Sequence, residues 1–234
     1  MPSSHVQSAR SPVPDYVDWL VATFVALAGT VVAVAGGVLV SVFDRSLVAD
    51  EVAAGRINVL TLERSLSRAE TVTLVTEVGR WTGTGLLVTG VGLALFAVAY
   101  GVARHRANER EGASTPAHHR RRAAVCGATA TVVLSMLPFS AAVGGGVAAY
   151  LDTAGSDRPV RVGALSGLLA AVPALVVLGF TTVGLYTGLS GVGEPSLRTA
   201  SVLLTVASGA FAVAFSAGLG GLGGYLADRF ADGD

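Results

Sequence analysis

The sequence predicts an all-α integral membrane protein, a bundle of five transmembrane helices. Only 14% of its 234 residues are charged and its mean hydropathy is +0.63, whereas about a quarter of the residues in a soluble domain are charged. The charges are clustered and leave five uncharged gaps, of 25, 23, 29, 32 and 29 residues. Because about 20 apolar residues span the hydrocarbon core as a helix, each gap is long enough for one crossing.

The five predicted spans cover residues 17–43, 81–103, 123–151, 162–187 and 199–227. An additional amphipathic helix outside the membrane is predicted near residues 60–79, where apolar residues recur every three or four positions and form one face. Proline removes a backbone donor from a helix. Kinks are therefore predicted at Pro138 in the third span and at Pro173 in the fourth.

These spans divide the chain into five segments. They are a disordered cytoplasmic tail at 1–16, a two-span unit at 17–103 with an external segment at 44–80, an arginine-rich cytoplasmic loop at 104–122, a three-span glycine-rich unit at 123–227, and an acidic tail at 228–234. The stretches 144–152 and 220–228 resemble each other, and one span between them would suit a parallel repeat. Glycine-rich helix ends alone would give the same likeness.

The arginine-rich loop, RHRANEREGASTPAHHRRR, sets the predicted orientation. Short loops rich in arginine stay in the cytoplasm, and the topogenic residues here are Arg104, Arg106, Arg110, Arg120, Arg121 and Arg122. With five crossings, eight arginines fall on each side, so the orientation depends on their density in this loop. We expect a cytoplasmic amino terminus and an external carboxy terminus. The same loop is expected to bind anionic lipid headgroups.

Other uses of this loop are weaker hypotheses. Nucleic-acid binding would need interleaved aromatic residues or a recognition fold, and the sequence shows neither. His118 and His119 are adjacent, and His105 is the one further histidine nearby, which is too few ligands for a metal site. No metal, cofactor or nucleic acid is predicted.

The sequence argues against an enzyme. It has no lysine, which removes Schiff-base and Ser-x-x-Lys chemistry. The motif GLSG at 188–191 matches an intramembrane serine protease, but no histidine follows His119 to accept the serine proton. Apart from Asp18 at the start of the first span, the predicted spans contain no Asp, Glu, His, Arg or Lys, which disfavours a proton-coupled pump. The same absence does not argue against a passive pore, whose lining can be hydroxyls and backbone carbonyls.

The thirty glycines are the most specific physical signal. Small residues let membrane helices approach closely, so that dispersion and weak hydrogen bonds hold them together. The residues predicted to pack helices are Gly144, Gly145, Gly146, Gly163, Gly167, Gly218, Gly220, Gly221, Gly223 and Gly224. Their partners are expected within the chain, with a homo-oligomer or a membrane partner subunit as the alternatives.

The stretches LSMLPFSAAVGGGVAAYLDTAG and RVGALSGLLAAVP, within residues 134–173, resemble a family of uncharacterised multi-span membrane proteins from halophilic archaea. The closing GGYLADRF also resembles the end of that family, so the likeness covers roughly residues 123–230. The family has no known function. The resemblance implies a membrane location and a salt-loving archaeal source, and it supplies no catalytic residue.

The predicted function is that of a non-enzymatic membrane protein, structural or accessory to a partner complex. The alternative is a passive pore or facilitator for ions or small solutes, formed as a homo-oligomer.

Overall fold

A computed structural model describes residues 15–59, 66–108, 140–151, 159–193 and 195–231. These residues form helices, and no strand occurs among them. The helices are α1 (Asp15–Val42), α2 (Arg45–Ala53), α3 (Arg68–Asn108), α4 (Ser140–Leu151), α5 (Pro159–Ser190) and α6 (Pro195–Ala231). The predicted all-α class is confirmed.

Four of these helices, α1, α3, α5 and α6, are long and apolar enough to cross a membrane. They contain the first, second, fourth and fifth predicted spans. The predicted count of five is not confirmed. In the third predicted span, residues 123–139 and the kink at Pro138 lie outside the described residues. The described part is α4, whose 12 residues measure about 18 Å.

Helix α3 differs from the prediction at its start. Residues 68–79 are not a separate amphipathic helix but the first turns of α3, which runs unbroken for 41 residues; residues 60–65 lie outside the described part. A capping box explains the start. The Ser67 backbone N–H donates to Glu70 Oε2 at 2.8 Å, and the Glu70 N–H donates to Ser67 Oγ at 3.3 Å.

We expect Ser67→Ala to destabilise the start of α3 by about 1 kcal/mol, because the Glu70 N–H loses its acceptor. Faster amide exchange of residues 68–71, measured by hydrogen–deuterium exchange, would show the fraying. Ser46→Ala is the matched control, since Ser46 lies in α2 and not at this cap. Unchanged exchange in the first turn of α3 would contradict the role of the cap.

The long helices pack in the order α1–α3–α5–α6, and only neighbours in that order make extensive contact. Helix α4 contacts both α5 and α6, and α2 contacts α3. Within the described part of the chain, α1 and α6 are therefore the two edges of an open row. The row does not close into a ring.

Neighbouring helices in this row run in opposite directions. Residue numbers rise on one helix as they fall on the next in the pairs Gly29–Gly90 and Gly36–Gly83 (α1, α3), Leu74–Gly188 and Gly85–Phe180 (α3, α5), and Gly163–Gly220 and Gly167–Ser216 (α5, α6). The start of α1 and the end of α6 thus lie at one end of the row, here called the tail end. The opposite end, where α5 turns into α6, is called the turn end.

This arrangement differs from the predicted one. Five crossings would separate the start of α1 from the end of α6, whereas the four alternating helices bring them to the same end. Pro173, the second predicted kink, lies inside α5, and the helix continues through it to Ser190.

A short polar segment links α1 to α3 at the turn end. Asp44 caps α2, and its carboxylate accepts hydrogen bonds from the side chain and backbone N–H of Ser46, which lower the pKa of Asp44. Glu51 is paired with Arg56, and this hydrogen bond lowers the pKa of Glu51. Both groups are exposed, so these contacts shape the segment more than they stabilise the fold.

Candidate functional site

The closest helix contact in the described residues joins α4, α5 and α6 through glycines. Gly220 of α6 lies between Gly145 of α4 and Gly163 of α5. A Cβ atom placed on Gly145 would lie 2.1 Å from the carbonyl oxygen of Gly220, and one on Gly163 would lie 2.2 Å from the same oxygen. Real Cβ atoms do not approach so closely, so no side chain fits at these positions.

The contact extends along all three helices. A Cβ atom on Gly167 would lie 2.1 Å from the Ser216 carbonyl oxygen, and one on Gly224 would lie 2.5 Å from the Pro159 carbonyl oxygen. On α4, Ala142 meets the backbone at Gly223. Beside this region Ala148 and Val162 form a small cluster that excludes solvent almost entirely.

Three other glycines predicted at this contact, Gly146, Gly218 and Gly221, are less constrained. Gly144 is buried. Cβ atoms on Gly146 and Gly221 would each have their nearest neighbour at 3.4 Å, an ordinary van der Waals distance. A Cβ atom on Gly218 would meet nothing within 4 Å, so the structure does not bring Gly218 into the contact.

A second glycine contact, between α1 and α3, was not among the predicted sites. A Cβ atom on Gly90 would lie 2.3 Å from the Ala33 backbone nitrogen, and one on Gly36 would lie 2.4 Å from the Leu87 backbone nitrogen. The sequence does carry a signal for it. Gly29 and Gly36 are seven residues apart, as are Gly83 and Gly90, so each pair marks one face of its helix over two turns.

A polar seam runs along the contact between α3 and α5. The hydroxyls of Thr82 and Thr181 are 2.9 Å apart. Nearer the turn end, Glu77 Oε2 accepts hydrogen bonds from Trp81 Nε1 at 3.2 Å and from Thr187 Oγ1 at 3.4 Å. Sequence reasoning placed Glu77 in an external segment. The structure places it on a membrane-length helix, half-buried against α5.

We expect the Thr82–Thr181 bond to contribute about 0.6 kcal/mol, the average for interhelical hydrogen bonds in a membrane protein. A double-mutant cycle of Thr82→Val, Thr181→Val and the double variant measures this coupling through unfolding in mixed micelles. Thr182→Val is the matched control, because the Thr182 hydroxyl donates to Leu178 in its own helix. A coupling of zero would show that the two hydroxyls act independently.

Most other hydroxyls of α5 and α6 are satisfied locally. Thr181, Thr182 and Thr205 each donate to the carbonyl oxygen four residues earlier. Ser166 of α5 and Thr89 of α3 differ, since both are buried and their hydroxyls have no hydrogen-bond partner. The hydroxyl of Thr76, which is half-buried on α3, also has none. Ser166 lies on α5 between Gly163 and Gly167, on the side that packs against α6.

The structure describes only some of the arginines that the sequence predicts to be topogenic. Arg104 and Arg106 lie on the last turns of α3, while Arg110 and the run at 120–122 lie outside the described residues. Their topogenic role remains a prediction. At the turn end, the guanidinium of Arg198 lies 5.0 Å from the centre of the Tyr186 ring, a cation–π contact between α6 and α5.

The described residues contain no group of three or more His, Cys, Asp or Glu side chains that could hold a metal ion. A shallow cleft of about 140 Å³ lies outside the membrane row, where the segment after α2 meets the start of α3. Its lining includes Val52, Asn58, Arg68 and Thr71. It brings together no nucleophile and base.

The glycine-rich contact lies within a region that can be compared with known proteins. Residues 121–230 match DUF5518, a family of unknown function. This domain contains α4, α5 and α6 and therefore the whole three-helix contact. It excludes α1, α2 and α3, and with α3 the residues Glu77, Trp81 and Thr82 of the polar seam. No curated protein and no solved structure matches the chain.

Proposed function

We propose that this protein is a non-enzymatic membrane component, structural or accessory to a larger membrane complex. The open row of α1, α3, α5 and α6 carries the proposal. Neighbouring helices are joined through glycines and a few hydrogen bonds, and each of the four helices exposes large apolar side chains, among them Phe24, Leu95, Leu169 and Phe211. Such faces suit contact with lipid or with another membrane protein.

The distribution of reactive groups supports a role without catalysis. All four histidines precede residue 120, and the chain has no lysine. Histidine and lysine are the general bases most often paired with a nucleophile. Neither occurs in the DUF5518 region, which begins after residue 119. The arginine-rich loop at 104–122 would hold its end of the protein at an anionic membrane surface.

A passive pore for ions or small solutes is the second candidate, and the unpartnered hydroxyls of Thr89 and Ser166 favour it. Buried hydroxyls without partners are uncommon, and water or a solute would satisfy them. Because the four long helices do not close on themselves, a path would have to form between several copies of the chain.

The deciding experiment is purification of the tagged protein in its native lipids at high salt, the condition suited to the proposed halophilic source. The mass of the complex and the identity of co-purifying proteins are measured together. A foreign subunit in fixed stoichiometry supports the accessory role. The control for nonspecific association is the same purification after the tagged protein has been expressed in the membrane of a distant host species.

A symmetric homo-oligomer that carries solutes across proteoliposomes would instead overturn the accessory role in favour of the pore. A stable monomer without flux would contradict both candidates.

A further inference from the structure

The directions of α3 and α5 limit how the chain can cross the membrane. Leu74 contacts Gly188, the Thr82 and Thr181 hydroxyls meet at 2.9 Å, and Gly85 packs against Phe180. These contacts cover more than two turns and show that α3 and α5 are antiparallel. Helix α3 therefore ends, at Asn108, at the same end of the row where α5 begins, at Pro159.

One complete crossing between α3 and α5 would bring Asn108 and Pro159 to opposite sides of the membrane. The antiparallel pairing excludes that arrangement. The 29-residue uncharged gap from which a third span was predicted is long enough for a crossing, but length gives no information about direction. The described helices thus contain four crossings, by α1, α3, α5 and α6.

Helix α4 nevertheless lies at membrane depth. It contacts Gly220 and Gly223 of α6, which fall within the uncharged stretch of that helix. Its own sequence, SAAVGGGVAAYL, has no charged residue, and Ala148 is fully buried. A charge-free helix in this position is held in the bilayer, yet its length of about 18 Å is well short of the roughly 30 Å hydrocarbon core.

The arginines give independent support. With four crossings, ten arginines lie on the side of the tail end, namely Arg10, Arg104, Arg106, Arg110, Arg120, Arg121, Arg122, Arg158, Arg161 and Arg229. Six lie on the other side, namely Arg45, Arg56, Arg64, Arg68, Arg80 and Arg198. Five crossings divide the same residues eight and eight. Only the four-crossing arrangement gives the arginine excess that cytoplasmic loops show.

We propose that α4 is a membrane half-helix, anchored by glycines to α5 and α6, and that the chain crosses the membrane four times with the start of α1 and the end of α6 both in the cytoplasm. The half-helix belongs to the DUF5518 region. The proposal is independent of the accessory or pore role, since it depends only on the helix directions and the charges.

Cysteine labelling tests this topology in the full-length protein. The native thiol is removed by Cys126→Ala, and single cysteines are introduced as Asp50→Cys, Gly155→Cys and Ser190→Cys. Asp50 and Ser190 are exposed at the turn end, and Gly155 lies in the connection from α4 to α5. Each variant is treated with a membrane-impermeant maleimide in intact cells, and labelling is compared with that after lysis.

We expect the cysteines at 50 and 190 to be labelled in intact cells to the same extent as after lysis, and the cysteine at 155 to be labelled only after lysis. Five crossings give the opposite pairing, with 50 and 155 labelled together and 190 protected, and that result would overturn the proposal. The reverse of the expected pattern, with only the cysteine at 155 labelled in intact cells, would be consistent with four crossings but would overturn the proposed cytoplasmic location of the two ends. Labelling of every variant in detergent shows that each thiol is reactive and each protein is made.

Discussion

Gly220→Leu should destabilise the protein by about 3 kcal/mol or more, the upper part of the range for overpacked cores. A Cβ atom at this position would lie 2.3 Å from the Gly163 carbonyl oxygen. Because the obstacle is backbone, α5 and α6 must move apart to admit the side chain. Helix α4 would lose its contact as well, since Gly145 packs on the Gly220 backbone. Thermal unfolding in lipid-like detergent should shift downward by roughly 10 °C.

Gly218→Leu is the matched control for this substitution. Gly218 lies on the same helix two residues away, and a Cβ atom there meets nothing within 4 Å. Leucine also favours the helix over glycine by about 1 kcal/mol, so the control should be neutral or slightly stabilising. Equal effects of the two variants would mean that the glycines matter for the flexibility of α6 and not for its packing.

Gly90→Leu should detach α1 while leaving the rest of the row folded. A Cβ atom on Gly90 would lie 2.3 Å from the Ala33 nitrogen and 2.4 Å from the Gly29 carbonyl oxygen. Helix α1 makes its extensive contact with α3 alone. No second neighbour in the described residues would hold it once this contact opened.

A disulfide reports on the α1–α3 contact directly. A Cβ atom on Gly101 would lie 4.0 Å from Ala22 Cβ, within the spacing that a disulfide bridges. In a Cys126→Ala background, Ala22→Cys and Gly101→Cys should cross-link readily. Adding Gly90→Leu should slow the cross-linking at least tenfold, and adding Gly92→Leu should not, because nothing lies within 4 Å of a Cβ atom on Gly92. Unchanged cross-linking with Gly90→Leu would show that α1 is held elsewhere.

The sequence was sufficient to predict where the four long apolar helices lie. Desolvation of a charge in the bilayer is so costly that gaps in the charge pattern predict apolar helices directly, and α1, α5 and α6 lie where those gaps are. The start of α3 was predicted wrongly for the same reason. Glu70, Glu77 and Arg80 were assigned to an external segment with its own amphipathic helix, whereas α3 continues without a break to the capping box at Ser67.

The partners of the glycines could not be predicted in the same way. A glycine stripe shows that a helix has a face for close approach, but the stripe does not say which helix approaches it. Gly145, Gly163 and Gly220 come from three helices, and only their three-dimensional arrangement joins them. The direction of α5 could not be predicted either, because an uncharged gap has the same composition whether the helix within it runs inward or outward.

The open row also has a consequence for how this protein depends on its surroundings. A compact bundle shields most of its contacts behind other helices. In the described part of this row, α4 covers one face of the α5–α6 contact, whereas no described helix covers either face of the α1–α3 contact. Acyl chains would complete the packing there, and their length would contribute to stability as side chains do in a soluble core. For such a protein, a change of lipid should alter stability in the way that substituting core residues alters the stability of a soluble protein.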